Sequence, residues 1–342
     1  MRATVDRAGL DSQSQIPVIK VRRVRKGDLS KVRDVVEQAF GDFYERQLGT
    51  RPRQVFGGAQ YIHHRWLMEP WGCFVAEEGE GKIVGASVAV MWGPVGVVGP
   101  IMVLTAYQNQ GIGQRLLKAT QEFFEENKVT LQGLATYPNS SKHLVFYQKF
   151  DYRPRALVAI TSKPVDRRGP AQPPRPSKPQ VQTRRFSTLE ESKKKTALAK
   201  FRRISGGICR GMDLTKEVEI VDGLALGDTL LLEKGRDLIG FAIYHVPGVS
   251  EAPLGSLYVK FLALDGRQKR PEYFHHLLGG LEELAQAAGL QRVIAPVYTS
   301  YWTAYHGLMA RGYGIDATMV RMTRGKSLDY ENPADLVLDD WR

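Results

Sequence analysis

Between residues 103 and 113 the chain reads Val103-Leu104-Thr105-Ala106-Tyr107-Gln108-Asn109-Gln110-Gly111-Ile112-Gly113, a pattern suited to holding an anion. An apolar run ends near Leu104, and from Gly111 onward Ile112, Leu116, Ala119, Phe123 and Phe124 recur at helical spacing. Where a strand turns into a helix in this way, several backbone N–H groups point outward without intrahelical partners, and the helix dipole adds partial positive charge. Gly111 and Gly113 carry no Cβ, so a phosphate group can approach the main chain closely and meet those N–H groups and the Gln108 side chain. Two other phosphate loops do not fit. A nucleoside-triphosphate loop needs Lys and then Ser or Thr after its last glycine, whereas Gly113 is followed by Gln114-Arg115. A dinucleotide fingerprint needs a small residue where Leu116 stands.

About 30 residues further on comes Phe146-Tyr147-Gln148-Lys149-Phe150-Asp151-Tyr152. Taken with Val103-x-x-x-x-Gln108-x-x-Gly111-Ile112-Gly113, this run resembles the GNAT family of N-acetyltransferases. The likeness has good motifs over about residues 17–160 and is weak over 187–325. It implies an α/β fold of two tandem GNAT-type domains, each a mixed, mostly antiparallel sheet flanked by helices. It also implies acetyl-CoA as co-substrate and transfer of the acetyl group to a primary amine. By resemblance the loop from Gln108 through Asn109, Gln110, Gly111, Ile112 and Gly113 to Gln114 binds the coenzyme A pyrophosphate. A bulge in the preceding strand would turn N–H groups near Val103 and Leu104 toward the thioester carbonyl and the pantetheine amides. Asn139 falls one position from the family's Asn at the start of the later helix, and Tyr147 takes the place of the tyrosine that protonates the leaving thiolate.

A lysine-like amine has a pKa of about 10.4, so its attack on a thioester requires a group or a water chain to take its proton. The sequence does not disclose that base. No carboxylate occurs in residues 97–104, Glu77 and Glu78 fall at a hairpin tip, and His143 lies on the later helix. Acceptor specificity would come from about residues 40–71, which hold no diagnostic motif, so the acceptor is a small-molecule or peptide amine of unread identity. A non-catalytic acyl-CoA-binding or nucleic-acid-associated regulatory protein is the alternative reading of the same loop.

The surrounding elements follow from periodicity. A short strand at 19–24 precedes a helix that Gly27-Asp28 would cap, with Leu29, Val32, Val35, Val36 and Phe40 along one face. A helix at 61–68, a hairpin at 73–92, a strand at 97–104, the helix opened by Gly111, a strand at 130–136, a helix at 140–150 and a strand at 155–161 complete the first series. Residues 84–107 contain no charge and are long enough to cross a bilayer, but four glycines and two prolines interrupt them. Paired buried strands are expected there, with no membrane contact.

The 342 residues suit two domains. We expect a flexible tail at 1–16, the first domain at 17–162, a basic proline-rich linker at 163–186, and a second domain at 187–342. Residues 163–203 hold 13 Lys and Arg against three acidic residues, so +10 of the chain's net +12 is local, and weak nucleic-acid contact is expected through that linker alone. The second half echoes the first at an offset of 161: Leu277-Leu278 follows Leu116-Leu117, and Gly312-Tyr313 follows Asp151-Tyr152. At that offset Lys269-Arg270-Pro271-Glu272-Tyr273-Phe274 replaces the glycine loop and Leu308 replaces Tyr147, so the second half is expected to lack a coenzyme A site. Ser187 and Thr188 are expected to cap its first helix. Cys73 and Cys209 read as reduced thiols of a cytoplasmic protein, and the sequence leaves the oligomeric state open.

Overall fold

The computed structural model describes residues 18–52, 55, 57–165, 181–325 and 330–342. The tail at 1–16 and the proline run of the linker, with the nucleic-acid contact expected of it, lie outside the described residues. The uncharged run forms β3 (Lys82–Trp92) and β4 (Val95–Val103), joined by a two-residue turn at Gly93-Pro94. Both strands are buried along nearly their whole length, which explains why no alternation of polar residues marks them. No helix among the described residues is long and apolar enough to cross a membrane.

Before this hairpin come β1 (Ile19–Arg23), α1 (Leu29–Leu48), α2 (Tyr61–Met68) and β2 (Phe74–Glu78). After it come α3 (Ile112–Glu126), β5 (Leu131–Thr136), α4 (Ser141–Gln148) and β6 (Arg153–Pro164). The face of β2–β4 that includes Ala76, Val84 and Val98 packs on Leu116 and Phe124 of α3. The opposite face, with Val75, Ala86 and Met102, packs on Val32 and Val36 of α1 and Ile62 of α2. Asp28 makes no side-chain cap on α1. Its carboxylate instead accepts hydrogen bonds from Arg22 Nη1 and from the Arg25 backbone N–H, both at 2.7 Å.

The second series is β7 (Gln182–Arg185), α5 (Glu191–Gly206), α6 (Thr215–Gly223), β8 (Gly227–Lys234), β9 (Asp237–His245), β10 (Ser256–Leu264), α7 (Pro271–Ala287), β11 (Arg292–Tyr298), α8 (Trp302–Ala310), β12 (Gly314–Gly325) and β13 (Leu338–Asp339). The expected cap on α5 is not formed, because the Ser187 hydroxyl donates to Asp228 and the Thr188 hydroxyl donates to the Arg185 carbonyl at 2.7 Å. The 161-residue offset holds for whole elements: β4 begins at Val95 and β10 at Ser256, and β6 begins at Arg153 and β12 at Gly314.

The sequence led us to expect one sheet per half, and the halves instead share a single 13-stranded sheet, ordered β1-β2-β3-β4-β5-β12-β6-β11-β10-β9-β8-β7 with β13 added on β10. From either end the order runs through five strands of one half and then reaches a late strand of the other, β12 or β6. β12 pairs with β5 over residues 320–325, and β6 pairs with β11 over residues 158–164. Each exchanged strand thereby hydrogen-bonds on both sides and leaves no open edge in the middle of the sheet.

Candidate functional site

Two features of β4 open a cleft. Ser87 of β3 pairs with Ile101 and Ala89 pairs with Val98, so β4 carries an extra residue at Gly99-Pro100, a bulge that bends the strand. Arg65 Nη1 donates to the Gly99 carbonyl at 3.0 Å and holds the bulge from the α2 side. Beside it, β4 and β5 pair in parallel only where Val95–Val97 meets Leu131–Gly133. Beyond that point the two strands diverge, and a cleft of about 910 Å³ fills the gap.

The glycine loop forms one wall. Residues 105–107 make a turn of 3₁₀ helix, and α3 starts after Gly111, whose φ of +75° is the left-handed conformation glycine adopts without strain. Nothing lies within 4 Å of where a Gly111 Cβ would stand, so the space above the helix start is open. Val103, Gln108, Asn109, Gly111, Ile112, Gly113 and Gln114 line the cleft; Leu104 and Gln110 do not. The Gln108 side chain is turned inward: its Nε2 donates to the Val103 carbonyl at 3.1 Å, and its Oε1 accepts from Lys142 Nζ at 3.0 Å. It therefore ties the loop to β4 and holds an ammonium group at the cleft mouth. Asn139 is exposed and outside the lining, where Ser140 stands instead.

The opposite wall is α4. Tyr147 is buried with its ring edge-on to Phe146 and Tyr152, at 5.0 and 6.1 Å between centroids. Its hydroxyl has no hydrogen-bond partner among the described residues and faces the cleft lining. Burial pushes the phenol well above its ordinary pKa, so it carries its proton at neutral pH. His143, one turn earlier, sits 5.4 Å from the Phe43 ring. Burial, helped by Lys142, lowers its pKa and leaves the imidazole neutral at pH 7. Among the described residues no carboxylate side chain belongs to the lining, so His143 is its one imidazole and its candidate proton acceptor.

Sequence reasoning missed the floor of the cleft. Met319 from β12, together with Trp341 and Arg342, reaches it from the other half of the chain. Arg342 is fixed by its guanidinium on Asp340 at 2.9 Å, and its backbone oxygen accepts a hydrogen bond from Arg65. The short apolar run Leu336-Val337-Leu338 before Trp341 was the sole local sign that this segment would be buried.

The second half holds the same divergence in a different state. β10 and β11 pair in parallel only where residues 256–258 meet 292–294. The gap that follows is occupied by β13, which pairs with Phe261 and Leu262 of β10. Leu308, at the place of Tyr147, is completely buried.

Residues 69–154 match the model of the acetyltransferase (GNAT) domain, a stretch that includes the glycine loop and Tyr147. The whole fold is similar to three solved structures. An acetyltransferase candidate from Pyrococcus horikoshii is 14% identical, with a TM-score of 0.66 over 94% of this chain and 95% of that one. A GNAT protein from Sphaerobacter thermophilus is 11% identical, with a TM-score of 0.58 over 91% and 98%. A tandem GNAT protein from the clavulanic acid biosynthesis pathway is 12% identical, with a TM-score of 0.54 over 91% and 100%. No curated protein matches the chain in sequence.

Proposed function

We propose that this chain is an N-acetyltransferase that binds one acetyl-CoA, in the cleft of its first half, and passes the acetyl group to a primary amine. The observation that carries this reading is the contrast between the two strand divergences: one is open beside a glycine loop, and the other is filled by β13. The N–H groups of Ile112, Gly113 and Gln114 would receive the pyrophosphate, with Lys142 adding positive charge. Bulged β4 would offer its free edge to the pantetheine amides. The amine nitrogen attacks the thioester carbonyl and gives up its proton to His143, directly or through water. The C–S bond then breaks, and the thiolate takes the proton of Tyr147.

Calorimetry with acetyl-CoA should give one site per chain, and a thiol-release screen over primary amines should find an acceptor. Two equal sites would refute the assignment to the first half. Binding without turnover across the panel would favour the regulatory alternative.

A further inference from the structure

Where α2, α6 and β9 meet, three side chains of metal-ligand type converge in the interior. His64 comes from α2 of the first half; Glu217 from α6 and His245 from β9 belong to the second. Each offers one ligand atom, all within 4.8 Å of one another, and the three residues are 3%, 1% and 0% exposed. His64 Nε2 lies 2.9 Å from Glu217 Oε1, in ion-pair contact, and neither atom makes a further hydrogen bond among the described residues. Both ring nitrogens of His245 are buried, and Nε2 has no partner among the described residues. Native interiors rarely leave a fully buried ring nitrogen unsatisfied unless something absent from the protein chain completes it.

The surroundings are those of a supported ligand set. Glu217 Oε2 accepts a hydrogen bond from Trp92 Nε1 at 3.2 Å, which leaves Oε1 turned to the two imidazoles. Glu251 Oε1 lies 3.2 Å from His245 Nδ1, so an ion would be taken at Nε2, as in carboxylate–histidine–metal triads. The nearby cations are already paired: Arg65 with Glu251 at 3.1 Å, and Lys260 with Glu251 and Asp340 at 3.0 and 3.4 Å. Glu217 has no Lys or Arg in ion-pair contact, and its carboxylate faces the imidazole of His64 instead. We propose that His64, Glu217 and His245 bind a divalent ion of the zinc class that clamps the two halves of the chain together. Two imidazoles and a carboxylate suit zinc at bond lengths of about 2.0–2.2 Å. The site is too enclosed to meet a substrate, so its role is structural, and it is independent of the acetyl-transfer reading.

The test uses the full chain purified without a histidine tag. Elemental analysis should find about one zinc per chain, and prolonged dialysis against a chelator should remove it and lower Tm by at least about 3 °C, restored by zinc. Cobalt added to the stripped protein should give the visible absorption of a four-coordinate site, and His245→Gln and Glu217→Gln should each abolish it. Wild-type protein with no bound zinc, no zinc-dependent shift in Tm and no cobalt spectrum would overturn the proposal. Retention of the cobalt spectrum in both variants would place the ion elsewhere and overturn it equally. If a variant fails to fold, the wild-type metal content and spectrum still decide.

Discussion

Tyr147 holds a proton that burial keeps in place, at a hydroxyl no other described side chain engages. Its ring packs against Phe146 and Tyr152, and phenylalanine would keep that packing. Tyr147→Phe should therefore lower kcat by at least about tenfold, because loss of a positioned general acid typically removes 10² to 10⁴ in rate. Acetyl-CoA affinity and Tm should change little, since the phosphate cradle lies on α3 and no buried hydrogen bond is lost. A variant that turns over like the parent would assign the proton to water or another residue; one that melts early would make the hydroxyl a structural group. Tyr147 and the glycine loop could be read from sequence because each is defined by spacing along one element. Trp341 and Arg342, which line the same cleft, could not, because their place depends on a strand exchange spanning some two hundred residues.

At the scale of elements, the start of α3 sets the cradle, and its geometry rests on Gly111 at a φ of +75°. A side chain there has open space but an unfavourable backbone, which costs about 1–2 kcal/mol. Gly111→Ala should relieve that strain by shifting the loop, lowering stability by about 1 kcal/mol and weakening acetyl-CoA about fivefold. Calorimetry and a thermal melt measure both, and kcat at saturation should be retained, the reverse of the Tyr147 signature. An unchanged Kd would take the loop out of the binding site. Long amphipathic helices such as α3 and α7 were legible because a full apolar stripe repeats along them. α6 was not, since nine residues show little more than Val218 and Val221 facing inward beside a buried Glu217. β7 was hidden for a related reason: Gln-Thr-Arg-Arg reads as part of the basic run and becomes a strand only because β8 offers it an edge.

For the whole molecule, the exchange of β6 and β12 makes each half depend on the other. Composition and the 161-residue echo made two units visible, but periodicity carries no record of which strand pairs with which. Within the first half, β5 borders β12 rather than β6, and Gly133 of β5 lies under the Trp341 ring, 2.1 Å from where a Cβ would stand. A fragment of residues 17–162 would lose β12, Trp341 and the partner of β6, exposing strand edges and the apolar face that now joins Trp92 to Phe261. We expect it not to behave as a folded monomer: light scattering should report self-association through the vacated edges, and circular dichroism should show a broad, early melt. Adding the 181–342 fragment should restore a one-to-one complex, because the missing strands arrive with it. A monomeric 17–162 fragment that melts cooperatively near the temperature of the full chain would mean that β6 can fold back beside β5, and that the shared sheet is one of two arrangements open to this sequence.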